Sequence, residues 1–440
     1  MKKNRLFISY LCVSLLFISC NIHEKKTTQK ELFQHQSATQ VNSYVQNVLK
    51  QKKQAIENFV NSLSLEDQIS QLFIENLVGN TQFVPVEKLS DFSTSVLDDS
   101  FVVPGGFLFF SYNLGETAEQ TIDFISSIHE YCKQNNKIPP FLAIDQEGGL
   151  VNRLKNLCGP LPSAQRVSEN LSLEQTYELY KLQSLQMKLL GFDMNLAPVM
   201  EICTDDNKVF LNGRSFGDLN QVCEYGTTCV NAYQQNGIDT VIKHFPGNTN
   251  TDPHSGLPEI QATKQELEQL IQPFVHVLEE NPAGILMSHA RTKAIDSQVP
   301  SCLSSVWVTE ILRQKYNFQG IIFSDDIFMG ALAKNGYPPE IAVTMAIEAG
   351  IDCIMLSEKR IAKPAKILLK KATESEDFAK KINIAVSRII NYKLHTGLLQ
   401  IVEVSPNEYK IQACDFSKEN RIQEFEQIKK QNIDFYTKHF

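Results

Sequence analysis

Two carboxylates end an apolar run in Phe318-Gln319-Gly320-Ile321-Ile322-Phe323-Ser324-Asp325-Asp326. Asp325, the first of them, is the best-placed nucleophile in the chain. Asp325 or Asp326 capping the following helix is the other use of such a position, and both hold if Asp326 is the structural partner. A second reactive element lies in the glycine- and proline-rich stretch from Phe245 to Pro258, where Asp252 and His254 stand two residues apart. In a turn, that spacing lets the carboxylate hold one imidazole nitrogen and fix the tautomer. An imidazole titrating at roughly pH 6.5 suits a group that must give up a proton and then take one back. Asp145, Lys243 with His244, and His289 likewise follow apolar runs. A carboxylate nucleophile with a separate proton donor is what glycoside hydrolysis through an oxocarbenium-like state requires.

These residues need a scaffold that brings distant stretches together. Between about 55 and 400, short apolar runs alternate with amphipathic stretches of helical length, which argues for parallel strands joined by helical crossovers. Eight runs read as strands: Gln71 to Asn76, Gly106 to Phe110, Phe141 to Asp145, Asp193 to Ala197, Thr240 to His244, Gly284 to His289, Ile321 to Asp325 and Asp352 to Leu356. They lack strict polar alternation, as expected of strands covered on both faces. Helices are predicted at Leu173 to Leu190, Thr263 to Glu280, Val308 to Tyr316 and Pro339 to Ala349. The pattern predicts an α/β fold, a single (β/α)₈ barrel. Asp145, Lys243 with His244, His289 and Asp325 all fall at the C-terminal ends of predicted strands, where such a barrel carries its chemistry. The 401–440 tail, rich in Glu, Lys and Gln, is expected to be a helix packed on the barrel or a solvated end.

A chain of 440 residues with 42% hydrophobic and 21% charged residues is long enough for one such barrel with tails. The net charge of -8 argues against a nucleic-acid partner. Lys2, Lys3, Arg5 and the apolar stretch Leu6 to Ile18 read as an export signal over 1–19, too short to span a bilayer. Leu16-Phe17-Ile18-Ser19-Cys20 resembles a bacterial lipobox, with Phe17 where Leu is usual. Cys20 is therefore the expected lipidation site, followed by a flexible polar tether to about residue 54, with the protein exported and membrane-anchored. Eight cysteines remain beyond Cys20, with no metal-ligand spacing; buried free thiols are the favoured reading. The chain is expected to be a monomer.

Several motifs resemble glycoside hydrolase family 3, in its branch of single-barrel bacterial β-N-acetylglucosaminidases, over roughly residues 60 to 395. Ile144-Asp145-Gln146-Glu147-Gly148-Gly149 resembles the sugar-binding signature and Arg153 keeps its basic position. Asn212-Gly213-Arg214-Ser215-Phe216-Gly217 and Lys243-His244-Phe245-Pro246-Gly247 resemble the segments whose Arg, Lys and His reach the substrate. Ser324-Asp325-Asp326 resembles the nucleophile segment and Asp252-Pro253-His254 the branch's acid/base pair. The resemblance implies Asp325 as nucleophile, Asp252 and His254 as acid/base, and Asp145, Arg153, Arg214, Lys243 and His244 as sugar-binding residues; His289, from its place at a strand end, is expected to bind substrate with them. It also implies retention through a covalent glycosyl-enzyme and no metal or cofactor. Leu150 stands where Arg is common, Asn248-Thr249 where His-Gly is usual, Glu201 in place of Asp and Phe328 in place of a small residue. A β-glucosidase or β-xylosidase, or a lipoprotein that binds glycans without cleaving them, are the competing readings.

Overall fold

The structure, a computed structural model, describes residues 49–77, 103–356, 361–405 and 408–440. The export segment, Cys20 and most of the tether lie outside them. Eight short strands form one parallel sheet: β1 (Phe73–Asn76), β2 (Gly106–Phe109), β3 (Phe141–Ile144), β4 (Met194–Asn195), β5 (Asp239–Phe245), β6 (Gly284–Met287), β7 (Ile321–Phe323) and β8 (Ile354–Leu356). All eight were expected, within two residues at each end. Neighbours in sequence are neighbours in space from β1 to β7, and β8 pairs with β1 through Phe73↔Ile354. The circle closes where Phe323 bridges Cys353 in parallel and the Ser324 N–H donates to the Cys353 carbonyl at 3.0 Å.

Helices cover the outside, each formed for a local reason. Leu173–Leu190 starts at Ser172, whose hydroxyl accepts the Gln175 N–H while Gln175 reaches back, and ends at Gly191 in the left-handed region. Thr263–Glu280, expected as one helix, breaks after Leu270, because Pro273 has no N–H to return to the preceding turn. The helix expected over Val308 to Tyr316 runs over Val306–Lys315 and is wound wider, with the Tyr316 N–H reaching back to the Ile311 carbonyl at 3.0 Å. The tail holds more than the expected helix: an antiparallel hairpin, Leu399–Ser405 with Glu408–Ala413, precedes Arg421–His439. Its apolar residues alternate, and Ile401 faces Ile411 across the pair, a period-2 signal masked by the surrounding charges. The helix Arg421–His439 packs against Leu173–Leu190, burying Phe425 completely.

Gln54–Phe440 forms one compact unit around this barrel. Its lower interior is filled by large rings: Phe141 meets Phe323 and Tyr392 edge-on at 6.2 and 5.6 Å. Each such buried phenylalanine contributes roughly 1.5–3 kcal/mol of transfer free energy. Carboxylates at the strand starts tie the bottom together. The Asp193 side chain accepts the Leu142 N–H at 2.9 Å, and Asp352 holds Arg388 at 2.7 Å, Arg313 and the Ile322 N–H. Of the eight cysteines, all unpaired, five are buried as expected.

Lys393 is fully buried below the barrel, donating to Gln71 Oε1 and the Pro139 carbonyl, both at 2.7 Å. Burial pushes its ammonium down to about 7, against smaller opposing contributions from Cys132, Cys353 and Asp193. With the folded pKa below the unfolded one, the unfolded chain binds the extra proton between these two values. Stability should therefore rise with pH from about 7 toward the lysine's ordinary range. Urea unfolding at pH 7 and pH 9.5 should show the wild type gaining relative to Lys393→Met; a constant difference would refute this.

Candidate active site

The site begins with the turn after β3. Gln146 pairs with Asn152 across a short ribbon, and the chain reverses at Gly148, with φ of +97°, where a side chain would strike the Pro162 carbonyl. This turn sets Asp145 and Glu147 at the barrel mouth. Lys243, near the end of β5, reaches Asp145 Oδ1 and Glu147 Oε1, each at 2.5 Å. Arg214, from the loop after β4, grips Glu147 with two parallel hydrogen bonds at 2.7 and 2.8 Å, the geometry a planar guanidinium favours. Burial alone would raise the Glu147 pKa, but the charges of Lys243 and Arg214 hold it well below the usual carboxylate range.

His244 is fixed in the same way by Glu201. Its Nδ1 lies 2.7 Å from Glu201 Oε1, and the other carboxylate oxygen accepts the Asn248 N–H at 2.7 Å. The Phe210 ring stands 6.2 Å from the imidazole, with the Arg214 guanidinium over it at 5.5 Å. Asp145, Arg214, Lys243 and His244 are thus one cluster. Arg153 flanks the same loop, stacked on Phe110 at 5.0 Å, its buried Nε–H without a hydrogen-bond partner among the described residues.

Asp325 sits two residues past β7, partly exposed, and forms no ion pair among the described residues. Its Oδ1 accepts the Asp326 N–H at 2.8 Å. Asp326 is buried, its Oδ1 accepting the Phe328 N–H at 3.0 Å, so it is the structural partner of the two. His289 departs from the expected sugar-binding role. It is completely buried, with Nε2 3.0 Å from the Asp326 carbonyl and Nδ1 3.2 Å from the Cys302 sulfur. A side chain with no exposed surface does not meet a ligand; it stands behind the segment that carries Asp325.

The Asp252–His254 pair is exposed on the loop after β5. Asp252 Oδ1 accepts the His254 N–H at 3.0 Å and lies 2.7 Å from its Nδ1. The backbone N–H of His254, then its ring, lower the Asp252 pKa, so the carboxylate is ionised and Nδ1 carries the hydrogen. That leaves Nε2 as the ring atom able to take and give a proton. This loop leans on the segment that follows Asp325. The Ala331 N–H donates to the Pro253 carbonyl at 2.9 Å and Lys334 to the Ser255 carbonyl at 3.3 Å. Gly330 lies so close that a Cβ there would stand 2.4 Å from the His254 carbonyl oxygen. Asn250 pins the other side of the loop, accepting the Val209 and Phe210 N–H groups and donating to the Asp205 carbonyl. Gly330→Ala is thus expected to displace the loop of Asp252 and His254 and lower kcat/KM by roughly 10- to 100-fold, with the melting temperature little changed. Wild-type kinetics in that variant would remove Gly330 from this role.

Four residues that organise the site escaped the sequence reading as site residues. Glu147 lies within the Ile144–Gly149 motif and Glu201 stands where Asp is usual, so both were visible as carboxylates but not as the holders of Arg214, Lys243 and His244. Asn250 and Gly330 gave no signal, because their role depends on which loops touch.

A parallel barrel with a positively gripped carboxylate cluster, an aspartate that no described cation pairs and an Asp–His pair on a loop at its C-terminal end has the polar groups of an enzyme acting on a polar substrate. Residues 64–392 match the glycosyl hydrolase family 3 N terminal domain, and the chain belongs to that family. It is 33% identical over 264 residues to a β-hexosaminidase of Haemophilus influenzae, covering 58% of this chain and 73% of that one. A β-hexosaminidase of Hydrogenovibrio crunogenus is 30% identical over 268 residues, with 58% and 72% covered. Among solved structures, a family 3 β-N-acetylglucosaminidase from Paenibacillus superposes with a TM-score of 0.68 at 24% identity, over 83% of this chain and 68% of that one. The β-N-acetylhexosaminidase of Beutenbergia cavernae gives 0.63 at 22% identity, over 76% and 99%.

Proposed function

We propose that this protein is an exo-acting, retaining β-N-acetylhexosaminidase that removes terminal β-linked N-acetylglucosamine. The observation that carries the reading is the Asp252–His254 pair docked onto the segment of Asp325, so that an imidazole and a carboxylate serve one barrel mouth. Asp325 Oδ2 attacks the anomeric carbon as the bond to the leaving oxygen breaks, and protonated His254 Nε2 gives its proton to that oxygen. Water then attacks the same carbon, His254 takes its proton, and Asp325 is released. Asp145, Lys243, His244, Arg153 and Arg214 are the donors and acceptors for the sugar hydroxyls. The relatives named β-hexosaminidase support this substrate class. The test compares aryl β-glycosides of N-acetylglucosamine, N-acetylgalactosamine, glucose and xylose, with and without phosphate. Dominant cleavage of the glucoside or xyloside would overturn the assignment.

The same reading makes the protein an exported lipoprotein acting on peptidoglycan fragments or host glycans at a membrane surface, as a monomer. It rests on the basic n-region, the apolar run and Cys20. Cys20→Ser should release the protein from membranes into the soluble fraction, and retention would sink the lipid anchor.

A further inference from the structure

Behind the nucleophile lies a buried thiol–imidazole pair that the chemistry above does not use. Cys302 sits in the turn Ser301–Leu303, held by its own N–H to the Ser288 carbonyl at 3.2 Å and by the Ser301 N–H to the Ala290 carbonyl at 3.0 Å. The sulfur is thereby fixed 3.2 Å from His289 Nδ1. On the ring's other side, Nε2 is 3.0 Å from the Asp326 carbonyl oxygen. A carbonyl only accepts, so Nε2 carries the hydrogen. In the neutral ring Nδ1 then offers a lone pair, and the thiol S–H is the donor that satisfies it. Burial and then the charge of Asp325 push the thiol pKa far up, which keeps that hydrogen on sulfur. Each atom in the relay has one available role, and the relay ends on the residue beside the nucleophile.

We propose that Cys302 and His289 are positioning residues that fix the Asp326 backbone, so that its N–H holds Asp325 Oδ1 and leaves Oδ2 as the attacking oxygen. This rests on the reading of Asp325 as nucleophile. Both residues are fully buried, with no surface open to a ligand at the mouth. Their effect falls on the orientation of the carboxylate, which matters in the bond-making step, rather than on sugar affinity. A thiol donor differs from a packing group in one checkable respect: a hydroxyl in its place restores it.

The experiment measures kcat and KM for an aryl β-N-acetylglucosaminide, inhibition by free N-acetylglucosamine, and melting temperature in the full chain. Cys302→Ala should lower kcat about tenfold, with KM and inhibition within twofold of wild type. Cys302→Ser should recover most of that loss. His289→Gln, whose amide can still donate toward the Asp326 carbonyl, should retain more activity than His289→Leu. Equal kcat in the Ala and Ser variants, or losses that appear in KM and inhibition, would overturn the proposal. Asp325→Ala in the same assay separates the two failures: if it stays active the nucleophile reading itself falls, whereas inactivity with indifferent Cys302 variants defeats only the relay.

Discussion

Asp325→Ala is expected to abolish cleavage of an aryl β-N-acetylglucosaminide, with a loss on the order of 10⁴-fold or more, as for removal of a covalent nucleophile elsewhere. The size follows from the site's construction. Asp325 is the partly exposed carboxylate at this part of the mouth that no described cation neutralises, whereas Asp145 and Glu147 are already gripped by Lys243 and Arg214. Nor can Asp326 substitute, since its buried carboxylate accepts the Phe328 N–H. Asp326→Asn, by contrast, retains an acceptor for that N–H and should leave measurable turnover. Comparable activity in Asp325→Ala and wild type would refute the nucleophile assignment.

His254→Ala should divide substrates by their leaving groups. An activated aryl oxygen departs without much help, so its cleavage should fall little. A sugar or alkyl oxygen needs the proton, and its cleavage should fall roughly 10²- to 10⁴-fold. Asp252→Asn should show the same pattern more weakly, because the amide still approaches Nδ1 but no longer stabilises the imidazolium that donates. The check is the ratio of kcat/KM values for a nitrophenyl glycoside and a disaccharide in each variant. A uniform loss on both would mean that His254 binds sugar rather than transferring protons.

The barrel was readable from the chain because its strands are continuous apolar runs and its polar residues cluster after them. That pattern placed all eight strands and put Asp145, Lys243, His244 and Asp325 at one end. What remained hidden depended on contact between distant segments. His289 follows a strand just as Lys243 and His244 end one, yet it faces Cys302 and Asp326 instead of the mouth. Whether such a side chain turns outward is decided by what packs above it, which no local pattern records. Glu147 and Glu201 were likewise visible as residues, but their task of holding Arg214, Lys243 and His244 appears only when β3, β4 and β5 are side by side. The tail hairpin was missed for the opposite reason, since its weak alternation is diluted by exposed charges.

The helix Arg421–His439 reaches the loop after β3 from outside. Asn432 donates to the Cys158 carbonyl at 3.0 Å, and Ile433 closes over Gly159, six residues beyond Arg153. The last segment of the sequence is therefore a splint on the stretch that presents Asp145, Glu147 and Arg153. A bulky tag fused at Phe440, or a clip by a protease before Arg421, would be felt first as weaker sugar affinity and not as a collapsed barrel.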